Sequence, residues 1–69
     1  MSKCKIRSYT FTSQEDANTF HEIAKNMEDI VIFGFDNNIV SIVTARIFCI
    51  KTLDKDAEYI DPNVKMIFQ

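Results

Sequence analysis

The sequence is short of the residues on which most recognisable sites are built. A single glycine, Gly34, and a single proline, Pro62, stand among 69 residues. A loop that cradles phosphate needs several glycines so that the backbone can close on the anion, which excludes the P-loop and the dinucleotide fingerprint. Two cysteines, Cys4 and Cys49, and one histidine, His21, supply fewer soft ligands than a closed structural zinc site takes, and no Cys-x-x-Cys pair is present. No metal and no other cofactor is expected. One bridge between Cys4 and Cys49 is arithmetically possible, but two cysteines do not make a disulfide framework. The simpler expectation is two reduced thiols in or near the core. An excess of basic charge is lacking too: 8 Lys and Arg against 10 Asp and Glu leave a net charge of -2. That argues against a nucleic-acid partner, which calls for a basic stripe to displace counterions from phosphates. The longest apolar run, Ile30 to Phe35, is far short of the ~20 residues that span a bilayer. Met1 to Lys5 opens no signal segment. The expectation is a cytoplasmic protein with no membrane partner.

What is present points to one small folded domain over residues 1–69. The hydrophobic fraction is 46% with six Phe, too apolar for a disordered tail. A chain of this length buries only about 60% of the surface it exposes when unfolded, so marginal stability is expected.

Lys3 to Phe11 alternates and reads as a strand. Thr12-Ser13-Gln14-Glu15-Asp16 forms two overlapping capping boxes, Thr12 with Glu15 and Ser13 with Asp16. Behind them Ala17, Phe20, Ile23, Ala24 and Met27 recur at helical spacing, with Asn18, Glu22, Lys25 and Asn26 opposite. Asp29 to Asp36 reads as a strand, Asn37-Asn38 as a tight hairpin turn, and Ile39 to Val43 as the return strand. Thr44 is placed to cap a short helix holding Ala45 to Leu53, ended by Asp54-Lys55-Asp56. Asp61-Pro62-Asn63 is a turn and Val64 to Phe68 a last strand. The fold class expected is α+β: a β-α-β-β-α-β open-faced sandwich, a four-stranded antiparallel sheet with two helices on one face.

Chemistry-bearing residues are few. His21 lies at the margin of the helical stripe and reads as a boundary packing residue rather than a general base, and a mid-helix histidine is a poor start for a Cys–His pair. Asp54, Asp56, Glu58 and Asp61 form an acidic patch, but a calcium loop counted from Asp54 would need Gly and Glu where Tyr59 and Lys65 stand. A solvated surface is the plainer reading. Ile47, Phe48 and Ile50 crowd one short helix, which cannot bury all of them against a single sheet face, so part of that surface points outward.

The layout resembles the histidine-containing phosphocarrier (HPr) family of the bacterial sugar phosphotransferase system, whose fold runs β-α-β-β-α-β-α. Phe20-His21-Glu22-Ile23-Ala24-Lys25 looks like the end of that family's first helix, and Thr44 to Leu53 resembles its short second helix. The likeness covers roughly residues 3 to 68. The family's phosphorylated histidine falls at Ser13, its arginine at Glu15 and its regulatory serine at Arg46, so the carrier chemistry has no counterpart. What the resemblance implies is a non-catalytic, regulatory protein-binding domain that meets a phosphotransferase-system enzyme or a carbon regulator. The family docks its partners through the start of the first helix, here Ser13, Glu15 and Asp16, and through the second helix, here Arg46, Ile47, Phe48 and Ile50. The family's last helix, which covers part of the sheet, has no counterpart, which implies a bare apolar sheet face and a homodimer or a constitutive partner upon it. The competing reading is a small acidic interaction protein, for example a phage or mobile-element inhibitor, that blocks a larger target through its carboxylates. A thiol-dependent enzyme using Cys49 is a third, and requires a depressed thiol pKa.

Overall fold

The computed structural model describes residues 4–68. The expected beginning of the first strand at Lys3 lies outside them. The elements are β1 (Lys5–Thr10), α1 (Gln14–Lys25), β2 (Val31–Asp36), β3 (Ile39–Thr44), α2 (Ile47–Ile60) and β4 (Lys65–Phe68). The strands form one antiparallel sheet in the order β2-β3-β1-β4, so the expected α+β fold is the one observed. The β2–β3 hairpin lies beside β1, and each helix carries the chain across one intervening strand. This is a split β-α-β arrangement with β1 and β3 central. Crossovers of this kind share one hand, which puts both helices on the same face.

Alternation along the strands decides what is core. On β1, Tyr9 points to the helices; on β3, Val40 and Ile42 do. These pack with Phe11, with Ala17, Phe20 and Ala24 of α1, and with Ile50, Leu53 and Ala57 of α2. The α1 stripe is therefore the expected one, completed by half-buried Ile23 and by Met27, just past the helix end. Ser13 caps α1, its hydroxyl accepting from the Asp16 backbone N–H at 3.2 Å. In the hairpin, Asn37 takes a φ of 54°, the left-handed conformation that asparagine tolerates. The following Asn38 clamps the β1–α1 junction: its carbonyl accepts from the Phe11 N–H at 2.8 Å and its side-chain amide donates to the Phe11 carbonyl.

The second helix differs from expectation. It does not stop at Asp54-Lys55-Asp56 but continues to Ile60. Cys49, Ile50, Leu53 and Ala57 are all buried, a stripe at helical spacing that carries the helix through the charged triplet. The helix ends where Pro62 follows Asp61, because proline forces its predecessor out of the helical region; Asp61 has φ -144° and ψ 102°. Thr44 does not cap it either. Its hydroxyl donates to the Asp29 carbonyl at 2.6 Å and accepts from the Arg46 N–H at 3.1 Å, while Arg46 holds the N-cap position without a side-chain bond.

Thr12 also departs from its expected role. Its N–H and its hydroxyl both donate to one carboxylate oxygen of Asp61, at 2.7 and 2.9 Å, and the Asn63 N–H donates to the other at 2.9 Å. Asp61 is thus buried at 3% exposure and ties the β1–α1 loop to the α2–β4 turn. The backbone bond from Thr12 is the chief cause that holds its carboxyl below the ordinary value of 3.8, against burial, which pushes the other way. A carboxylate depressed on folding stabilises fully above the unfolded value and loses that contribution as pH falls through the folded one. Thermal melts between pH 7 and pH 2 are expected to show stability declining below about pH 4. Asp61→Asn should lower the melting temperature at pH 7 and flatten that decline. An unchanged acid limb in the variant would mean that other carboxylates control it.

Candidate functional site

The helices run in opposite directions because α1 follows β1, α2 follows β3, and those two strands are antiparallel. The start of α1, with Ser13, Glu15 and Asp16, lies near Asp61 at the end of α2, as the Thr12–Asp61 bonds show. The start of α2 lies at the other pole, where Arg46 pairs with Asp29 at 3.0 Å and the Cys49 thiol donates to the Glu28 carbonyl at 3.9 Å. The two segments expected to form one docking surface are therefore not brought together. Ile50 leaves the candidate set altogether: it is 3% exposed and belongs to the core. Ile47 and Phe48 do face solvent, at 57% and 74%.

Extending α2 adds a residue that the sequence reading missed. Tyr59 is 90% exposed and stands eleven positions after Phe48, three turns along the same side of the helix and about 16 Å away. Thr52 and Lys55 lie between them on this side, with Lys51 and Glu58 along its margin. The face opposite carries buried Ile50, Leu53 and Ala57. The outer face of α2 is thus an aromatic pair with exposed Lys55 between the rings and exposed Lys51 and Glu58 beside them. The signal for it was available in the sequence, since the spacing of Cys49, Ile50, Leu53 and Ala57 points to a helix long enough to present Tyr59.

The remaining candidates have structural work. His21 stacks on Phe35 with ring centroids 4.3 Å apart and planes 14° apart, the boundary packing expected of it. Cys49 is buried, whereas Cys4 is exposed and not in the core; neither is in a disulfide. Cys4 borders a shallow groove of about 360 Å³ at the end of the sheet, lined chiefly by Ile30, Val31, Val43, Ala45 and Arg46. The acidic patch is not a solvated surface throughout. Asp54 accepts from Arg7 at 2.9 Å and from the Tyr9 hydroxyl at 2.7 Å, and Asp61 is buried as described. Burial first, and then the bond to Asp54, push the Tyr9 phenol far above its ordinary range. Among the described residues no group of three His, Cys, Asp or Glu side chains is placed to hold a metal ion, and no helix is long and apolar enough to cross a membrane.

Compared with known proteins, the chain matches no family model, no curated protein and no solved structure.

Proposed function

We propose that this chain is a non-catalytic, regulatory protein-binding domain that docks a partner along the outer face of α2. The observation that carries this reading is the exposure of Phe48 and Tyr59, at 74% and 90%, on one side of a helix whose other side is core. Burying an aromatic side chain contributes about 1.5–3 kcal/mol, and aromatic anchors dominate the binding energy of protein interfaces. Lys51 and Lys55 between and beside the rings specify the complement: an apolar groove with carboxylates on its rim, the usual receptor for a helix presented side-on. An acidic decoy that works through Asp54, Asp56, Glu58 and Asp61 fits less well, because Asp54 and Asp61 are engaged inside the fold.

The test is capture of the partner from source-cell lysate at low and high salt, with wild type beside Phe48→Asp. Position 48 is in the first turn of α2, which has no acidic residue there. An aspartate suits the positive end of a helix, so this variant should keep its fold. Partner retained by wild type at high salt and lost by Phe48→Asp is the expected result, with affinity for the isolated partner reduced on the order of tenfold to a hundredfold. A phosphotransferase-system enzyme or carbon regulator among the captured proteins would fit the family resemblance. A partner stripped by salt and indifferent to Phe48→Asp would overturn the proposal in favour of carboxylate-led binding.

A further inference from the structure

The sheet has a second face, turned away from both helices, and its pattern is self-complementary. Strand register arranges it in rows, with one irregularity in β2 between Ile32 and Gly34. There Phe33 is an extra residue that is 58% exposed, and Val31 is brought to the face of Gly34 and Asp36. At one end stand Val31, Val43 and Ile6; in the middle Gly34, Ser41, Ser8 and Ile67; at the other end Asp36, Ile39, Thr10 and Lys65. Val31, Ile39 and Ile67 are 60%, 41% and 53% exposed, so aliphatic groups lie open to water from one edge of the sheet to the other. The serines at the centre bond to each other, Ser8 Oγ to Ser41 Oγ at 3.0 Å, which lowers the cost of removing water from them. Asp36 and Lys65 occupy opposite edges of one row, three strand spacings or about 14 Å apart. Neither forms an ion pair among the described residues.

We infer that this face binds a second copy of the chain, sheet against sheet, around a two-fold axis that lies in the interface along the strands. Such an axis lays β2 of each copy over β4 of the other and β3 over β1. Asp36 then meets Lys65 of the second copy, twice by symmetry. Val43 meets Ile6, and Ile67 lies over Gly34. An axis across the strands would instead set Asp36 over Val31, leaving the charge against an aliphatic group. Aligned packing of this kind is the common mode for two sheets. The footprint, roughly 19 by 20 Å from strand spacing and rise, is smaller than the ~800 Å² per partner of a tight complex. The dimer therefore forms at high concentration and falls apart on dilution. Because this face and α2 lie on opposite sides of the sheet, the dimer presents two α2 faces outward and is bivalent for the proposed partner.

Sedimentation equilibrium over a wide concentration range tests this independently of any partner. Wild type should approach twice the protomer mass as concentration rises. Asp36→Lys and Lys65→Asp should each dimerise about tenfold or more weakly, since reversal makes both cross-copy pairs repulsive. Mixed in equal amounts, the two variants should recover association. Each mixed dimer then sets two lysines of one copy against two aspartates of the other. Phe48→Asp should dimerise as wild type does. A protein that stays monomeric at millimolar concentration overturns the inference. So does a dimer indifferent to both reversals, or one abolished by Phe48→Asp, which would locate the contact on α2.

Discussion

Phe20→Ala is expected to cost about 3–5 kcal/mol, the usual penalty for emptying a buried phenylalanine site. For a chain of this length the whole stability is about 3–10 kcal/mol, so this one substitution brings the protein close to unfolding. Phe20 has no exposure and sits against Tyr9 and Phe11, with ring centroids 4.6 and 5.1 Å away. It is the contact through which α1 holds the end of β1, and little around it can collapse into the space: its neighbours on the stripe, Ala17 and Ala24, are already small. Urea denaturation followed by circular dichroism should show the midpoint falling sharply, or no folded baseline at all. Phe20→Leu, which keeps most of the volume, should retain a cooperative transition at an intermediate midpoint. Equal midpoints for Phe20→Ala and wild type would mean that the aromatic cluster is not the centre of the core.

Asp54→Ala is the second, at about 2–3 kcal/mol. The carboxylate accepts from both the Arg7 guanidinium and the Tyr9 hydroxyl, and it anchors α2 to β1 across the helix–sheet boundary. The pair with Arg7 is partly exposed, with side chains 15% and 24% accessible, so screening discounts its Coulombic share. The larger part of the loss comes from Tyr9, whose hydroxyl is left in the core without this acceptor. Asp54→Asn keeps an acceptor oxygen but removes the charge, and should cost less. The alkaline limb supplies a separate check. A phenol whose pKa is raised on folding contributes stability that is full below its unfolded value of 10.0 and is lost as pH rises beyond it. Stability should therefore decline above about pH 10, and less steeply in Asp54→Ala, because burial remains there as a cause but the hydrogen bond does not.

Much of the fold is legible along the chain because it depends on near neighbours. The α1 stripe at 3.6-residue spacing, the Ser13 cap and the Asn37 turn each reflect interactions within a few residues, and each is where the sequence places it. The length of the second helix is not legible in this way, because Asp54-Lys55-Asp56 resembles a polar stop. What carries the helix through is the alignment of Leu53 and Ala57 on the core, together with a distant partner for Asp54 on β1. Asp61 likewise reads as surface, since the groups that bury it, on Thr12, stand 49 positions away.

The candidate site divides along the same line. That some of Ile47, Phe48 and Ile50 must face water follows from crowding on one helix, and the sequence alone determined it, as it determined the α+β order of elements, the small core and the left-handed turn at Asn37. Which of the three is buried depends on the phase of α2 against the sheet, and that phase is set by packing with Leu53 and Ala57. Element order does not determine strand order. Only the tertiary structure placed β1 and β3 in the centre, set the two helix starts at opposite poles, and aligned Asp36 and Lys65 in one row. The physical reason is that hydrophobic spacing and capping act over a few residues, whereas strand register and helix docking are settled by contacts between segments tens of residues apart.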